Sequence, residues 1–377
     1  MAGFRPVLVF VMLALALAVP ARPLHDFREA DAALDALVRE HGLAGASLRV
    51  ATVQGEVHRV HLEGFDDTTR VGIASASKWL SALTLARLVE AGHLRWDSRV
   101  GEHFPEAPLS THAITLAQLF SHTSGMHPDE AGCLAQRDTS LQACALEVLA
   151  MPLAYAPGTG FAYGGNSMQV AGAMAERATG RRWDDLFVSE MALPLGLGDT
   201  DWSLGALLPG YVPNPNPRIG GGARSTLADY ARVLDMVLAG GEVAGETFLT
   251  PSTLATMAVD RALGLPILYS PLADPDQGYG IGQWVEARDA WGATTRVSSP
   301  GAFGFTPWVD WKQGNNGVVV VLGNGREMRE DLFAIQAACL DALDSKYRLF
   351  ETPLPPAPAL PPRAGPRPAL DVPQRAH

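Results

Sequence analysis

The sequence predicts an α/β fold of the α+β type, with a mixed sheet assembled from both ends of the chain and a helical region inserted between its halves. Strand-like runs occur at residues 46–62 and return at residues 279–322. Between them, from Ser75 to about residue 260, the pattern is mostly helical and is broken by Gly- and Pro-rich loops. The 377 residues are 47% hydrophobic and 18% charged, a globular composition that excludes a largely disordered chain.

Taken in order, Met1–Arg5 is a short basic start and Pro6–Val19 an apolar run too short for a comfortable membrane span. Val19-Pro20-Ala21 offers small residues for cleavage, so residues 1–21 read as a signal peptide, and no cysteine follows directly to carry a lipid. No other segment reaches membrane-spanning length, so the expectation is a periplasmic or secreted protein with no stable span after cleavage. Residues 26–41 read as a helix stopped by Gly42. Ala46–Val53 and Glu56–Leu62 form a hairpin pattern around Gln54-Gly55. Further strands are expected at Tyr279–Glu286, Thr294–Ser299, Phe303–Trp311 and Gly317–Leu322, and a closing helix at about Glu327–Tyr347. One domain is expected over residues 22–350. Residues 351–377 are a Pro-rich tail that cannot bury a core and should be disordered or extended.

The formal net charge of −11 argues against a nucleic-acid partner. Three cysteines cannot furnish a four-thiolate zinc site. Cys133 and Cys144 flank a polar stretch, and in an oxidising compartment they are a reasonable disulfide. Cys339 lies in an amphipathic helical pattern and reads as a buried free thiol. The chain has no H-E-x-x-H metal pattern and no G-x-S-x-G elbow, and Gly220–Thr226 lacks the Gly-Lys-Ser/Thr ending of a phosphate loop. No metal and no organic cofactor is expected.

Chemistry concentrates at Ile73–Leu80, where Ser75 and Lys78 form a Ser-x-x-Lys at the mouth of a helix. Residues three apart share a helix face, so hydroxyl and amine can meet. A serine hydroxyl needs a neighbouring base before it attacks, and a desolvated lysine can be that base. The helix that follows is apolar over most of its circumference and should be buried. Ser77 competes as a helix cap.

Beyond this motif the chain resembles the penicillin-recognising serine hydrolases: class C beta-lactamases, D-alanyl-D-alanine carboxypeptidases and related esterases. The resemblance covers roughly residues 30–345. It runs through IASASKWLSALTLARLVEAGHLRWDSRVGEHFPE, ITLAQLFSHTSGM, PGTGFAYGGNSMQVAGAMAERATG, PLGLGDTDW, GGGARSTLADYARVLDMVLAGG and SPGAFGFTPWVD. It implies a beta-lactamase-like fold whose mainly antiparallel sheet is flanked by helices. It also implies Ser75 as the acylated nucleophile, Lys78 as its partner, and Tyr163 as the tyrosine of a Tyr-x-Asn motif that serves as or shares the general base, its pKa lowered beside the lysine. Backbone N–H groups of Ser75 and Ala302 would form the oxyanion hole.

Two departures from the family pattern stand out. The asparagine position is Gly165, so a substrate-amide contact is either lost or supplied by Asn166 one place later. The third motif, Lys-Thr-Gly, becomes Ser299-Pro300-Gly301, without its lysine. Arg296 shares a strand face with Ser298 rather than Ser299 and should point away from the cleft. His122, in SHTSGM, is expected to be structural.

The resulting expectation is an exported serine hydrolase that acts through a Ser75 acyl-enzyme on a small-molecule or peptide ester or amide, with neutral esters favoured because the third-motif cation is missing. The alternatives are a beta-lactamase or D-Ala-D-Ala carboxypeptidase, and a weakly catalytic binding protein for peptidoglycan fragments.

Overall fold

The computed structural model describes residues 25–204, 210–272 and 277–344. The expected signal peptide and Pro-rich tail lie outside the described residues, as do the last residues of the expected closing helix.

The first helix, Arg28–His41, buries Ala30, Leu34, Leu37 and Val38 on one face and ends at Gly42 in the left-handed conformation, as its sequence requires. Gly45–Thr52 and Gly55–Glu63 then pair antiparallel as the expected hairpin. Seven strands form one antiparallel sheet, and its order in space shows how the two ends of the chain combine. From one edge it runs Gly55–Glu63, Gly45–Thr52, Asn315–Val320, Thr306–Asp310, Thr294–Ser298, Trp284–Arg288 and Gly278–Tyr279. The N-terminal hairpin thus docks on the last strand, with Ser47 opposite Val320.

Where a single strand was expected over Tyr279–Glu286, the structure has two, Gly278–Tyr279 and Trp284–Arg288. The chain turns between them at Gly282, whose φ is +75° and whose N–H donates to Phe120 O at 3.0 Å. A Cβ at Gly282 would stand 2.7 Å from Lys78 O, so the turn seats directly on the start of the Ser77–Glu90 helix.

The sheet is covered on both faces. On one, the first helix and the Arg329–Asp344 helix pack together over Leu48, Val50, Trp308 and Val319. On the other lies the inserted helical region, whose centre is Ser77–Glu90. That helix buries Trp79, Leu80, Leu83, Leu85 and Leu88 on several sides at once. Asn166–Thr179 and Leu227–Leu238 pack around it within the same core. Cys133 and Cys144 form a disulfide, with Cα atoms 5.3 Å apart, that ties the 132–135 turn to the Leu141–Ala150 helix. Cys339 is buried and free. Among the described residues no helix is long and apolar enough to cross a membrane.

Candidate active site

A cleft of about 500 Å³ opens where the helical region meets the sheet, and Ser75, Lys78 and Tyr163 all line it. Ser75 sits in a single 3-10 turn, Ala74–Ala76, immediately before the Ser77–Glu90 helix. Ala74 adopts φ +45°, a left-handed conformation that is costly for a residue with a Cβ. The turn is held by Ser77, whose Oγ donates to Ala74 O at 2.6 Å and accepts from Ala223 N at 3.0 Å. Ser77 is therefore neither the cap of the helix nor a free hydroxyl. It fixes the corner that presents Ser75.

Lys78 points back along its helix into the same corner. Its Nζ lies 3.1 Å from Ser75 Oγ and donates to Gly220 O at 2.6 Å. The residue is only 4% exposed, and loss of hydration pushes its pKa down from 10.5 to about 7, with Arg218 adding to the fall and Glu130 opposing it. Near neutral pH a large share of these amines carries a free lone pair beside the serine hydroxyl. Such a pair can pass a proton without any other base.

Tyr163 approaches from the other side. Its hydroxyl is within hydrogen-bonding reach of Ser75, and its ring lies 4.7 Å from Lys78 Nζ. The ring stacks on Trp284 at 5.1 Å between centroids. Its N–H donates to Tyr269 O at 3.0 Å, which fixes the backbone against the short strand Ile267–Tyr269. The expected lowering of its pKa is not what the surroundings produce. Burial pushes the phenol up, and Glu130 and Tyr269 push in the same direction against the hydrogen bond from Ser75. A Lys78 that is only partly charged near neutral pH gives a phenolate little cationic support. Tyr163 is thus a protonated phenol that can donate to, or relay a proton through, Ser75.

His122 lies beneath this tyrosine, 4.4 Å between ring centroids, with φ +59°. Its Nδ1 accepts from Gly164 N at 3.3 Å, and its carbonyl accepts from Tyr155 Oη and Ala162 N. Desolvation holds its pKa well below the usual value, and it does not line the cleft. Its place is under the Tyr163 loop, in keeping with a structural role.

Opposite Ser75, the segment Ser299–Phe303 follows the Thr294–Ser298 strand. Pro300, Gly301, Ala302 and Phe303 line the cleft. A Cβ on Gly301 would stand 2.1 Å from Ile73 O, so glycine is required for the segment to approach the serine turn. Gly301 N donates to Phe305 O at 2.7 Å, whereas Ala302 N donates to no acceptor among the described residues. Ser299 is buried and does not line the cleft, and its Oγ donates to Ser75 O at 3.2 Å. It braces the serine turn instead of offering a side chain to substrate.

Asn166 requires a correction of the same kind. Its Oδ1 accepts from Ala131 N at 2.9 Å, and its Nδ2 donates to His127 O at 3.0 Å and Asp129 O at 2.8 Å. The amide is fully used in holding the 127–131 loop, so it does not replace the missing substrate contact at Gly165.

Arg296 pairs with Glu286 and Asp310, away from the cleft, as strand alternation requires. The cleft nevertheless does not lack cations, because Arg218, Arg326 and Arg329 line it. Arg218 pairs with Glu130, and Arg329 Nη1 donates to Pro271 O at 2.7 Å. These arginines come from loops and the start of the last helix, where no periodicity in the sequence aims a side chain at the site. Glu130, on a loop, is hidden in the sequence for the same reason, whereas Trp284 lies on the expected strand and only its stacking on Tyr163 gives it a place in the site.

A sequence model of the Beta-lactamase family matches residues 30–339. The chain belongs to the Beta-lactamase family. It is 31% identical over 182 residues to penicillin-binding protein 4 of Amycolatopsis lactamdurans, covering 43% of this chain and 46% of that protein. Over 196 residues it is 32% identical to esterase EstB of Burkholderia gladioli, covering 45% of this chain and 50% of the esterase. The chain thus spans about half the length of these curated relatives. Among solved structures, one from Bacteroides dorei, assigned as a beta-lactamase, superposes with a TM-score of 0.76 at 27% identity, covering 85% of this chain and 100% of that one. A penicillin-binding protein homologue from Caulobacter crescentus shares the fold at TM-score 0.66 and 20% identity, covering 83% and 98% of the two chains. Members of this family are serine hydrolases that act on small-molecule or peptide substrates.

Proposed function

We propose that this chain hydrolyses an ester or amide through an acyl-enzyme on Ser75. The observation that carries the reading is Lys78 Nζ at 3.1 Å from Ser75 Oγ, with its pKa brought down to about 7 by burial. Neutral Lys78 takes the Oγ proton as Oγ attacks the substrate carbonyl carbon. The developing oxyanion turns to backbone N–H groups of Ser75 and Ala302, each such donor being worth on the order of 10²–10³ in rate. Tyr163, a protonated phenol, gives a proton to the leaving oxygen or nitrogen and is reprotonated from Lys78. A water molecule then attacks the acyl carbon by the same exchange, and Ser75 leaves as the hydroxyl. The close approach of Gly301 to Ile73 supports the placement of Ala302 beside the nucleophile.

The arginines alter the preference expected from the missing lysine. Arg326 lines the cleft and forms no ion pair among the described residues. A carboxylate on the substrate would find a partner there, which favours acid-bearing esters or amides, beta-lactams among them, over strictly neutral esters. The Cys133–Cys144 disulfide supports work in an oxidising compartment, periplasmic or secreted.

A fluorophosphonate probe tests the reading. It should label the native protein and leave Ser75→Ala unlabelled. Labelling of Ser75→Ala at the native rate would move the nucleophile elsewhere.

A further inference from the structure

The wall of the cleft facing Tyr163 is built by the loop at residues 128–130 packing onto two glycines. A Cβ at Gly164 would stand 3.0 Å from Pro128 O. At Gly165 it would stand 2.4 Å from Glu130 Oε1 and 3.0 Å from Leu134 Cδ2. The Glu130 carboxylate therefore fills the space that any side chain at residue 165, two places after Tyr163, would need. Its Oε2 accepts from Arg218, while Oε1 accepts no hydrogen bond among the described residues. Glu130 lines the cleft together with Ser75, Lys78 and Tyr163. Its charge acts on both Lys78 and Tyr163, the two groups that touch Ser75.

We propose that Glu130 is a specificity-determining residue that receives the α-ammonium of an aminoacyl ester or amide. This rests on the serine-hydrolase reading above and names the acyl group it would take. A carboxylate only accepts hydrogen bonds, so this wall selects a donor on the substrate, and it rejects an acyl carbonyl pointed at it. Asp129 also lines the cleft, but its carboxylate is exposed and lies 3.5 Å from His127 Nδ1, so Glu130 is the carboxylate this wall offers. An α-ammonium is one carbon from the scissile carbonyl and so falls near this wall when the carbonyl lies at Ser75. Arg326 and Arg329 also line the cleft and would repel a cation placed beside them. The ammonium is therefore assigned to Glu130, on the acyl group.

Alanine benzyl ester and benzyl propionate, which differ only in the amino group, test this at pH 7 with benzyl alcohol release as the readout, using both enantiomers of the alanine ester. The native protein should favour the better alanine ester over the propionate by about tenfold in kcat/KM, the low end for a hydrogen bond to a charged group. Glu130→Gln should bring the ratio close to one, and Arg218→Ala, which leaves the carboxylate unpaired, should raise it. A native ratio near one, or a ratio unchanged in Glu130→Gln, would overturn the proposal while leaving the hydrolase reading intact. If neither ester is turned over, the fluorophosphonate probe decides the hydrolase reading, and calorimetric binding to Ser75→Ala decides Glu130 separately. Tighter binding of the alanine ester by about tenfold sustains the contact, and equal binding refutes it.

Discussion

Replacing Lys78 by methionine should silence the cleft and stabilise the protein in the same step. The amine is buried, and its pKa falls from 10.5 to about 7 on folding. Between those values an unfolded lysine holds a proton that the folded one releases, so the unfolded state binds more protons and native stability rises with pH. The slope is about 1.4 kcal/mol per pH unit. Below pH 7 the cost of burying the amine is fully present, on the order of 5 kcal/mol, and above pH 10.5 it vanishes. Methionine has similar length and no charge to bury. It leaves Gly220 O without its 2.6 Å partner, which costs about 1–3 kcal/mol. At pH 7 the variant should therefore be more stable than the native protein by about 1–3 kcal/mol. Urea unfolding of both proteins from pH 6 to pH 10 checks this. The variant's advantage should be flat up to about pH 7 and then shrink with rising pH. An advantage that does not change with pH, or that grows, would refute the assignment of Lys78 as a neutral buried base. The same titration appears in catalysis: kcat/KM for a neutral ester should climb about tenfold per pH unit below pH 7 and level off above it.

Replacing Cys133 and Cys144 together by serine opens a short loop and should cost about 3 kcal/mol in chemical denaturation; the native protein should show the same loss in reductant. Gly301→Ala places a methyl against Ile73 O and should push Ala302 away from Ser75, lowering kcat by about 10²–10³ through the lost oxyanion donor. Ser299→Lys, which would restore the family's lysine, should gain no ester turnover and should lower thermal stability, because residue 299 is buried against Ser75 O. Arg326→Ala should cost about tenfold or more in kcat/KM for a carboxylate-bearing substrate relative to a neutral ester.

Periodicity carried most of the architecture. The 45–52 and 55–63 strands, the 294–298, 306–310 and 315–320 strands and the last helix lie within a few residues of their expected positions, although the 45–52, 306–310 and 315–320 strands are buried almost throughout and not on alternate residues, because helices cover both faces of the sheet. The break at Gly280–Gln283 was not legible. What splits that strand is the contact of Gly282 with Phe120 and Lys78, more than 150 residues away in sequence. The Ser75–Lys78 pair was legible for the opposite reason, since a three-residue helical spacing is local geometry.

The rest of the cleft depends on what loops bring together, and there the sequence misleads in an instructive way. Asn166 is next to the position where a substrate amide contact was expected, yet its amide is spent on the backbone of residues 127–131. That same anchoring fixes the loop that carries Glu130 over Gly165. The shift of an asparagine by one residue and the glycine it leaves behind therefore belong to one rearrangement. An amide that could face the substrate is replaced by a carboxylate held in place by the displaced amide. The lysine missing from the third motif follows the same logic. Ser299 packs inward to brace the Ser75 turn, and positive charge enters the cleft from Arg326 and Arg329 instead. On the proposed mechanism Lys78 keeps its place beside Ser75, while the charges offered to a substrate come from Glu130, Arg326 and Arg329. On the proposed reading, substrate selection is set by the 127–131 loop and the turn into the last helix, and variants at Glu130 and Arg326 should change which ester is preferred more than they change how fast Ser75 is acylated.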